Sequence, residues 1–370
     1  MSDEENAPLR RGWTTGTCAT AAAKAACAAL VTGVFPDPVE VTLPGGQRPA
    51  FALARTALSD GSATVGIVKD AGDDPDVTHG ALVSATVRRG PPGSGITFRA
   101  GPGVGMVTRP GLPIPPGEPA INPVPRRMIA AAIAEVDAGD FEVEIAVEDG
   151  AALALKTLNP RLGIVGGLSI LGTTGIVIPF SCSAWIHSIH RGIDVARAMG
   201  LDHIAGATGA ASEAAVQKLH GLDEVALIDM GDFVGGMLKY VKAHPVARVT
   251  VAGGVAKMTK LAQGLLDLHS KRGAPDLQAL ADLALSAGGS DRLAALVGQS
   301  NTVAEAFEHA ASDGIALGDA VAEGAWITAA DALNDPAIAL EIVVFDRDGN
   351  LVGRKDFAPA HRPSRPLKRR

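Results

Sequence analysis

Four carboxylates and one imidazole crowd into the run Lys69-Asp70-Ala71-Gly72-Asp73-Asp74-Pro75-Asp76-Val77-Thr78-His79-Gly80. Such a density can hold a hard cation through oxygen ligands, pair with arginine, or offset a cationic ligand. The spacing fits no EF-hand, and aspartate also makes ordinary turns. Like charges this close need compensation. Asp70, Asp73 and His79 are therefore the candidate catalytic residues.

A second group can bind anions. Thr14-Thr15-Gly16-Thr17 opens an alanine-rich run, and Arg10 and Arg11 stand just upstream. A helix N-terminus there, capped by Thr15 or Thr17, presents backbone N–H groups and hydroxyls suited to carboxylate or phosphate. Arg109 follows a Gly-rich run with backbone freedom, Asn122, Arg126 and Arg161 lie beside Pro-stiffened loops, and arginine forks suit the same anions. Gly167-Leu168-Ser169-Ile170-Leu171-Gly172-Thr173-Thr174 imitates a P-loop in glycine spacing, yet Thr173 stands where the phosphate-binding lysine belongs. Thr173 and Thr174 keep their hydroxyls for a carboxylate, but a nucleotide-dependent kinase or ligase fails for want of that lysine. Cys182, His187 and His190 cluster without a third ligand at a recognised spacing, so packing outweighs metal binding and no metal site is expected.

These residues need elements to position them. The run from Thr15 to Thr32 reads as a helix stopped at Gly33. Val39–Leu43 and Arg48–Ala54 form a hairpin around Pro44-Gly45-Gly46-Gln47, with further strands at Ser62–Lys69, Ala81–Arg89, Gly95–Ala100 and Phe141–Val147. Between them lie a long Gly/Pro segment, Gly101 to Pro125, and an amphipathic helix at Arg126–Val136. From Leu162 onward the rhythm changes. Apolar runs at Leu162–Val165, His203–Ala205, Val225–Ile228 and Val249–Ala252 alternate with helical segments near 184–199, 211–219, 232–243 and 255–269, the mark of parallel βαβ units. Helical windows follow at 276–286, 290–298, 301–311 and 318–330, then a hairpin of Ala339–Phe345 and Asn350–Phe357. The expected fold is mixed α/β: a hairpin-rich α+β domain over 8–150, a Rossmann-like domain with a largely parallel sheet over 151–358, and a basic disordered tail over 359–370. Ligands in such sheets bind at the carboxyl ends of the strands. The Gly-rich turns there contain Gly166, Gly167, Gly206, Gly209, Gly253 and Gly254.

Composition narrows the class. The chain has 370 residues, 47% of them hydrophobic and 20% charged, enough for full cores. A net charge of -7 and few aromatics (nine Phe, three Trp, one Tyr) argue against a nucleic-acid partner. Three widely spaced cysteines imply neither a disulfide framework nor a zinc knuckle. No apolar run reaches membrane-spanning length, and the acidic start is the opposite of a signal peptide, so a cytoplasmic protein is expected. Oligomeric state stays open.

Taken together, Arg11–Ala19, Lys69–Gly80, Val107–Leu112, Gly117–Arg126, Asn159–Ile164, Leu168–Val177 and Asp232–Gly236 resemble, in order, the blocks of the cobalt-precorrin-5B C(1)-methyltransferases, the CbiD family. One block departs. The family's Gly-His-x-Gly-Lys type of run is here Gly253-Gly254-Val255-Ala256-Lys257, which lacks the histidine but keeps the lysine.

The resemblance implies methyl transfer from S-adenosylmethionine to C1 of cobalt-precorrin-5B, giving cobalt-precorrin-6A on the early-cobalt route to cobalamin. It places cobalt only within the tetrapyrrole substrate. Acetate and propionate side chains of that small-molecule substrate would meet Thr14 to Thr17, Arg109, Asn122, Arg126, Arg161, Thr173 and Thr174. Asp70 or Asp73 could offset the sulfonium of the donor, and the Gly-rich turns would hold it, by analogy of fold. A non-catalytic carrier of corrinoid intermediates is the rival class.

Overall fold

Alanine loses least on entering a helix, and the computed structural model, which describes residues 8–361, forms one over Thr15–Thr32. Thr14 is its N-cap, one residue before the earliest expected position, and accepts from Thr17 N–H. Gly33 ends it at φ 79°. Small side chains leave this helix buried on nearly every side. It packs against the strands Ser62–Val68 and Leu82–Arg89 and the helix Pro123–Ala134.

The chain divides into two units, residues 1–182 and 183–370. In the first, a five-stranded sheet runs in the order Arg55–Ser59, Ser62–Val68, Leu82–Arg89, Phe141–Val147, Ile96–Ala100. The first four are antiparallel neighbours and the last is parallel. Phe141, Val143, Ile145 and Val147 alternate into the core. Arg55–Ser59 gave no sequence signal because it is exposed along its whole length, with no buried face to impose a period. The hairpin at Val39–Glu40 and Ala50–Phe51 forms as expected.

The Gly/Pro segment is tied down rather than structureless. Met106–Val107 pairs antiparallel with Ile164–Val165, and bridges join Val104 to Leu168 and Ile121 to Ile170. This corrects two expectations. Ile164–Val165 is not the first strand of a parallel sheet, and the stretch 151–182 belongs with the first unit. The reason is visible at Gly105 and Gly167, where an added Cβ would fall 2.5 Å from Ile164 Cγ2 and 2.4 Å from Gly103. Glycine there lets backbones approach across the sequence.

In the second unit the sheet order is Leu227–Asp229, His203–Ala207, Arg248–Gly254, Asp335–Phe345, Leu351–Ala360. Its first four strands are parallel, and the last returns antiparallel through the expected hairpin. In chain order this is 2-1-3-4-5. Alternate strand residues face opposite layers. Ala205, Leu227, Ala252, Val343 and Phe345 pack with Val216 of the helix Ala210–His220. Ile204, Ile228, Val251, Ile342 and Val344 pack with Met237, Met258 and Val321 from helices on the other side. The basic tail was expected from 359, but Pro359 and Ala360 still pair with Ala339 and Asp335. Beyond His361 the expected tail lies outside the described residues. None of the described helices is long and apolar enough to cross a membrane.

Candidate functional site

The first unit brings the acidic loop and the threonine run together through backbone. Trp13 N–H donates to Asp70 O at 2.7 Å, and Asp73 N–H to Arg10 O at 2.9 Å. An added Cβ on Gly12 would lie 2.0 Å from Ala71 C, so only glycine permits this crossing. The compensation for the crowded carboxylates is now specific. Arg10 forks onto Asp70 with both terminal nitrogens, while its N–H donates to Asp73 at 2.6 Å. Hydrogen bonding from Arg10, helped by Gly72 N–H, holds the Asp70 carboxyl down at about 2. His79 Nδ1 accepts from Ala71 N–H at 3.1 Å, which leaves the ring proton to Nε2. His79 Nδ1 stands 3.9 Å from Asp70. A recess of about 320 Å³, lined in part by Trp13, Phe51, Ile67 and Asp70, opens beside this group.

Lys69 is the residue that sequence reasoning missed. It is 1% exposed, and its Nζ donates to Asp76 at 2.7 Å. Burial raises the Asp76 carboxyl, but the Lys69 charge and hydrogen bonds from Lys69 and Thr78 outweigh it, leaving a net lowering. Its signal was thin, since a lysine at a strand end normally reaches solvent.

The helix N-terminus meets its own chain. Gly16 N–H donates to Leu171 O at 2.9 Å, and Thr17 Oγ1 donates to Gly175 O at 2.7 Å. Gly12–Trp13 pairs with Ile176–Val177, and an added Cβ on Gly172 would lie 2.2 Å from Thr14 Oγ1. The Thr14–Thr17 run and the Thr173–Thr174 run therefore share one corner, with Thr15 buried and Thr173 and Thr174 exposed. Several expected anion binders are committed to backbone. Arg109 donates to Arg161 O at 2.7 Å, Asn122 to Ile170 O at 3.2 Å, and Arg126 to Ile121 O at 2.8 Å as well as to Glu118.

In the second unit, order 2-1-3 reverses direction between His203–Ala207 and Arg248–Gly254, the switch point at which open α/β sheets bind ligands. The six glycines separate here. Gly166 and Gly167 lie in the first unit, after an antiparallel strand. Gly206 and Gly253 lie under methionines, since an added Cβ would meet Met237 Sδ at 2.2 Å and Met258 Sδ at 2.6 Å. Gly209 and Gly254 face open space, with nothing within 4 Å of an added Cβ. Around them, Lys257 Nζ donates to Thr208 O at 2.6 Å and lies 3.0 Å from Asp232 Oδ1.

The two clustered histidines differ in surroundings, His187 being exposed and His190 partly buried. His187 and His190 share the helix Cys182–Ala198, and His190 stacks on Tyr240 with ring centroids 3.8 Å apart. Among the described residues, one trio has metal-ligand geometry: His203, His220 and Glu341. Its atoms already satisfy one another. Glu341 accepts from His220 and from Thr250 at 2.7 Å each, His203 Nε2 meets Thr250 Oγ1 at 2.9 Å, and Arg354 forks onto the other Glu341 oxygen.

Comparison with known proteins agrees with these blocks. The CbiD family matches residues 2–179, and the family of the CbiD C-terminal domain matches residues 267–356. A cobalt-precorrin-5B C(1)-methyltransferase of Agrobacterium fabrum is 69% identical over 96% of this chain and 95% of its own. One from a Bradyrhizobium species is 62% identical over 98% of this chain and 99% of its own. A crystal structure of a cobalamin biosynthesis protein (cbiD) from Archaeoglobus fulgidus is 26% identical over 84% of this chain and 86% of that one, with a TM-score of 0.38. Identity of this extent along nearly the whole length leaves a single assignment: the chain belongs to the CbiD family.

Proposed function

We propose that the protein methylates C1 of cobalt-precorrin-5B, with S-adenosylmethionine as donor and cobalt-precorrin-6A as product. The near full-length identity to proteins bearing that activity in their names carries the reading. The second unit supports the donor's place, because Gly209 and Gly254 leave backbone open at the switch point, where nucleoside-bearing ligands sit in sheets of this order.

The chemistry asks for placement more than for a base. A ring carbon attacks the methyl group as the sulfur–carbon bond breaks, and the donor leaves as S-adenosylhomocysteine. In-line geometry then supplies much of the acceleration. Asp70, Asp73 and His79 form a preorganised group in which Arg10 keeps Asp70 ionised, and a fixed carboxylate suits a developing positive charge. The threonine corner at Thr14–Thr17 and Thr173–Thr174 offers hydroxyls to the carboxylates of the macrocycle. Arg109 and Arg126 act on that substrate by fixing the loops that surround it, since their guanidinium groups are held by backbone.

The test incubates purified protein with cobalt-precorrin-5B and methyl-labelled S-adenosylmethionine, reading product mass and label position. One added methyl at C1 is expected. Tight tetrapyrrole binding without label transfer would replace this reading with a carrier.

A further inference from the structure

We propose that Lys257 and Asp232 together receive the zwitterionic amino-acid end of the sulfonium donor. The proposal rests on the donor occupying the switch point of the second unit.

Two loops and the first turn of a helix meet there, each following a different parallel strand. Thr208 follows His203–Ala207, Asp232 follows Leu227–Asp229, and Lys257 lies just beyond Arg248–Gly254. Lys257 Nζ reaches back across the strand ends to Thr208 O at 2.6 Å and to within 3.0 Å of Asp232 Oδ1. The two charges are paired, yet the pairing is incomplete. Asp232 Oδ1 is withdrawn from water and, among the described residues, makes no aligned hydrogen bond. A buried carboxylate oxygen without a hydrogen bond is costly and is relieved by a donor that arrives with the right direction. Lys257 keeps 38% of its side chain exposed, so it is not sealed inside the protein and has room to turn outward.

An α-amino acid group matches both halves. As Lys257 turns outward to take the ligand's carboxylate, the ligand's ammonium moves in to supply the hydrogen bond that Asp232 Oδ1 lacks. Exchanging one internal ion pair for two charge-assisted contacts leaves no charge unpaired. Gly254 begins the turn into the helix Val255–Ala262 with open space on its Cβ side, so a carboxylate can approach that backbone closely. Neutral adenosine has no group for this pair. The pair therefore discriminates between donor-like molecules that carry the amino-acid end and those that lack it.

The experiment compares S-adenosylhomocysteine with 5′-methylthioadenosine, which keeps the nucleoside and loses the amino-acid end. Each is titrated calorimetrically into the full-length protein and into Lys257→Met, Lys257→Arg and Asp232→Asn. Urea midpoints report whether each variant is folded. The wild type should prefer S-adenosylhomocysteine. Lys257→Met and Asp232→Asn should weaken that ligand by about tenfold or more, the scale of one lost charge-assisted contact. The same variants should leave 5′-methylthioadenosine unchanged, and Lys257→Arg should recover part of the loss. Equal weakening of both ligands, or of neither, in folded variants overturns the proposal and makes the pair a strut between strand ends. A wild type that binds 5′-methylthioadenosine as tightly as S-adenosylhomocysteine also overturns it, while leaving the donor site itself standing. A wild type that binds neither removes the donor site, and this assignment with it.

Discussion

Lys69 and Asp76 show what the acidic loop costs at the scale of single residues. The lysine is 1% exposed and has Asp76 as its ionic partner. Replacing Asp76 by Asn removes the charge that makes the buried ammonium tolerable. A loss of about 3–5 kcal/mol is expected from breaking such a pair on one side only. Urea unfolding measures it, and adding Lys69→Met to Asp76→Asn should return much of the loss, because no charge is then left buried. If the double variant is no more stable than the single, Lys69 is not paying a burial cost. The Arg10–Asp70 pair is different in kind. Both side chains are more than two-fifths exposed, so solvent screens them and the pair adds little to stability. From the sequence, the need to compensate Asp70, Asp73, Asp74 and Asp76 was legible. The identity of the compensators was not, because Arg10 comes from 60 positions away and nothing local marks Lys69 as buried.

At the scale of elements, the buried relay of His203, Thr250, Glu341 and His220 joins three strands and a helix of the second unit. Burial, together with the neighbouring His220 and Arg248, pushes His203 down to about 4 from an ordinary 6.5, while Glu341 and Asp202 oppose the shift. Between those two values the unfolded chain binds a proton that the folded protein refuses. The stability associated with neutral His203 is therefore fully present above about pH 6.5, and drains away as pH falls toward 4. The loss from this group is at most on the order of 3 kcal/mol. His203→Gln should flatten the pH dependence of the urea midpoint across that window, whereas an unchanged slope would assign it to other groups. Most helices and strands were legible because their apolar period survives in the sequence. The run Leu162–Val165 was not assigned correctly, since so short an apolar stretch carries no sign of parallel or antiparallel pairing. Gly206 and Gly253 were misleading for a related reason. A glycine beside a ligand and a glycine beneath a methionine look alike until the packing is known.

For the molecule as a whole, each unit has its own hydrophobic core. Cores that are separate need not melt together, so a single transition is not the expectation. Trp13 lies in the first unit and Trp326 in the second, packed in its core. With Trp185 replaced throughout, variants keeping only Trp13 or only Trp326 should show urea transitions with different midpoints, and coincident curves would mean one cooperative block. The division itself was half legible. The change of rhythm after 150 is real, yet Gly12–Trp13 pairs with Ile176–Val177 and Leu168 bridges to Val104, so the first unit needs 151–182 to be complete.

That closing of the first unit by its last segment bears on how the chain is made. Leu171 O receives Gly16 N–H and Gly175 O receives Thr14 N–H, across a separation of more than 150 positions. At about 5–20 residues per second, the ribosome spends many seconds on the intervening chain. Throughout that interval the carbonyls that seat the first residues of the alanine-rich helix are missing. Nascent chains stalled near position 150 should hold a helix whose threonine corner is still unassembled, and the corner should close only once residue 177 has cleared the exit tunnel.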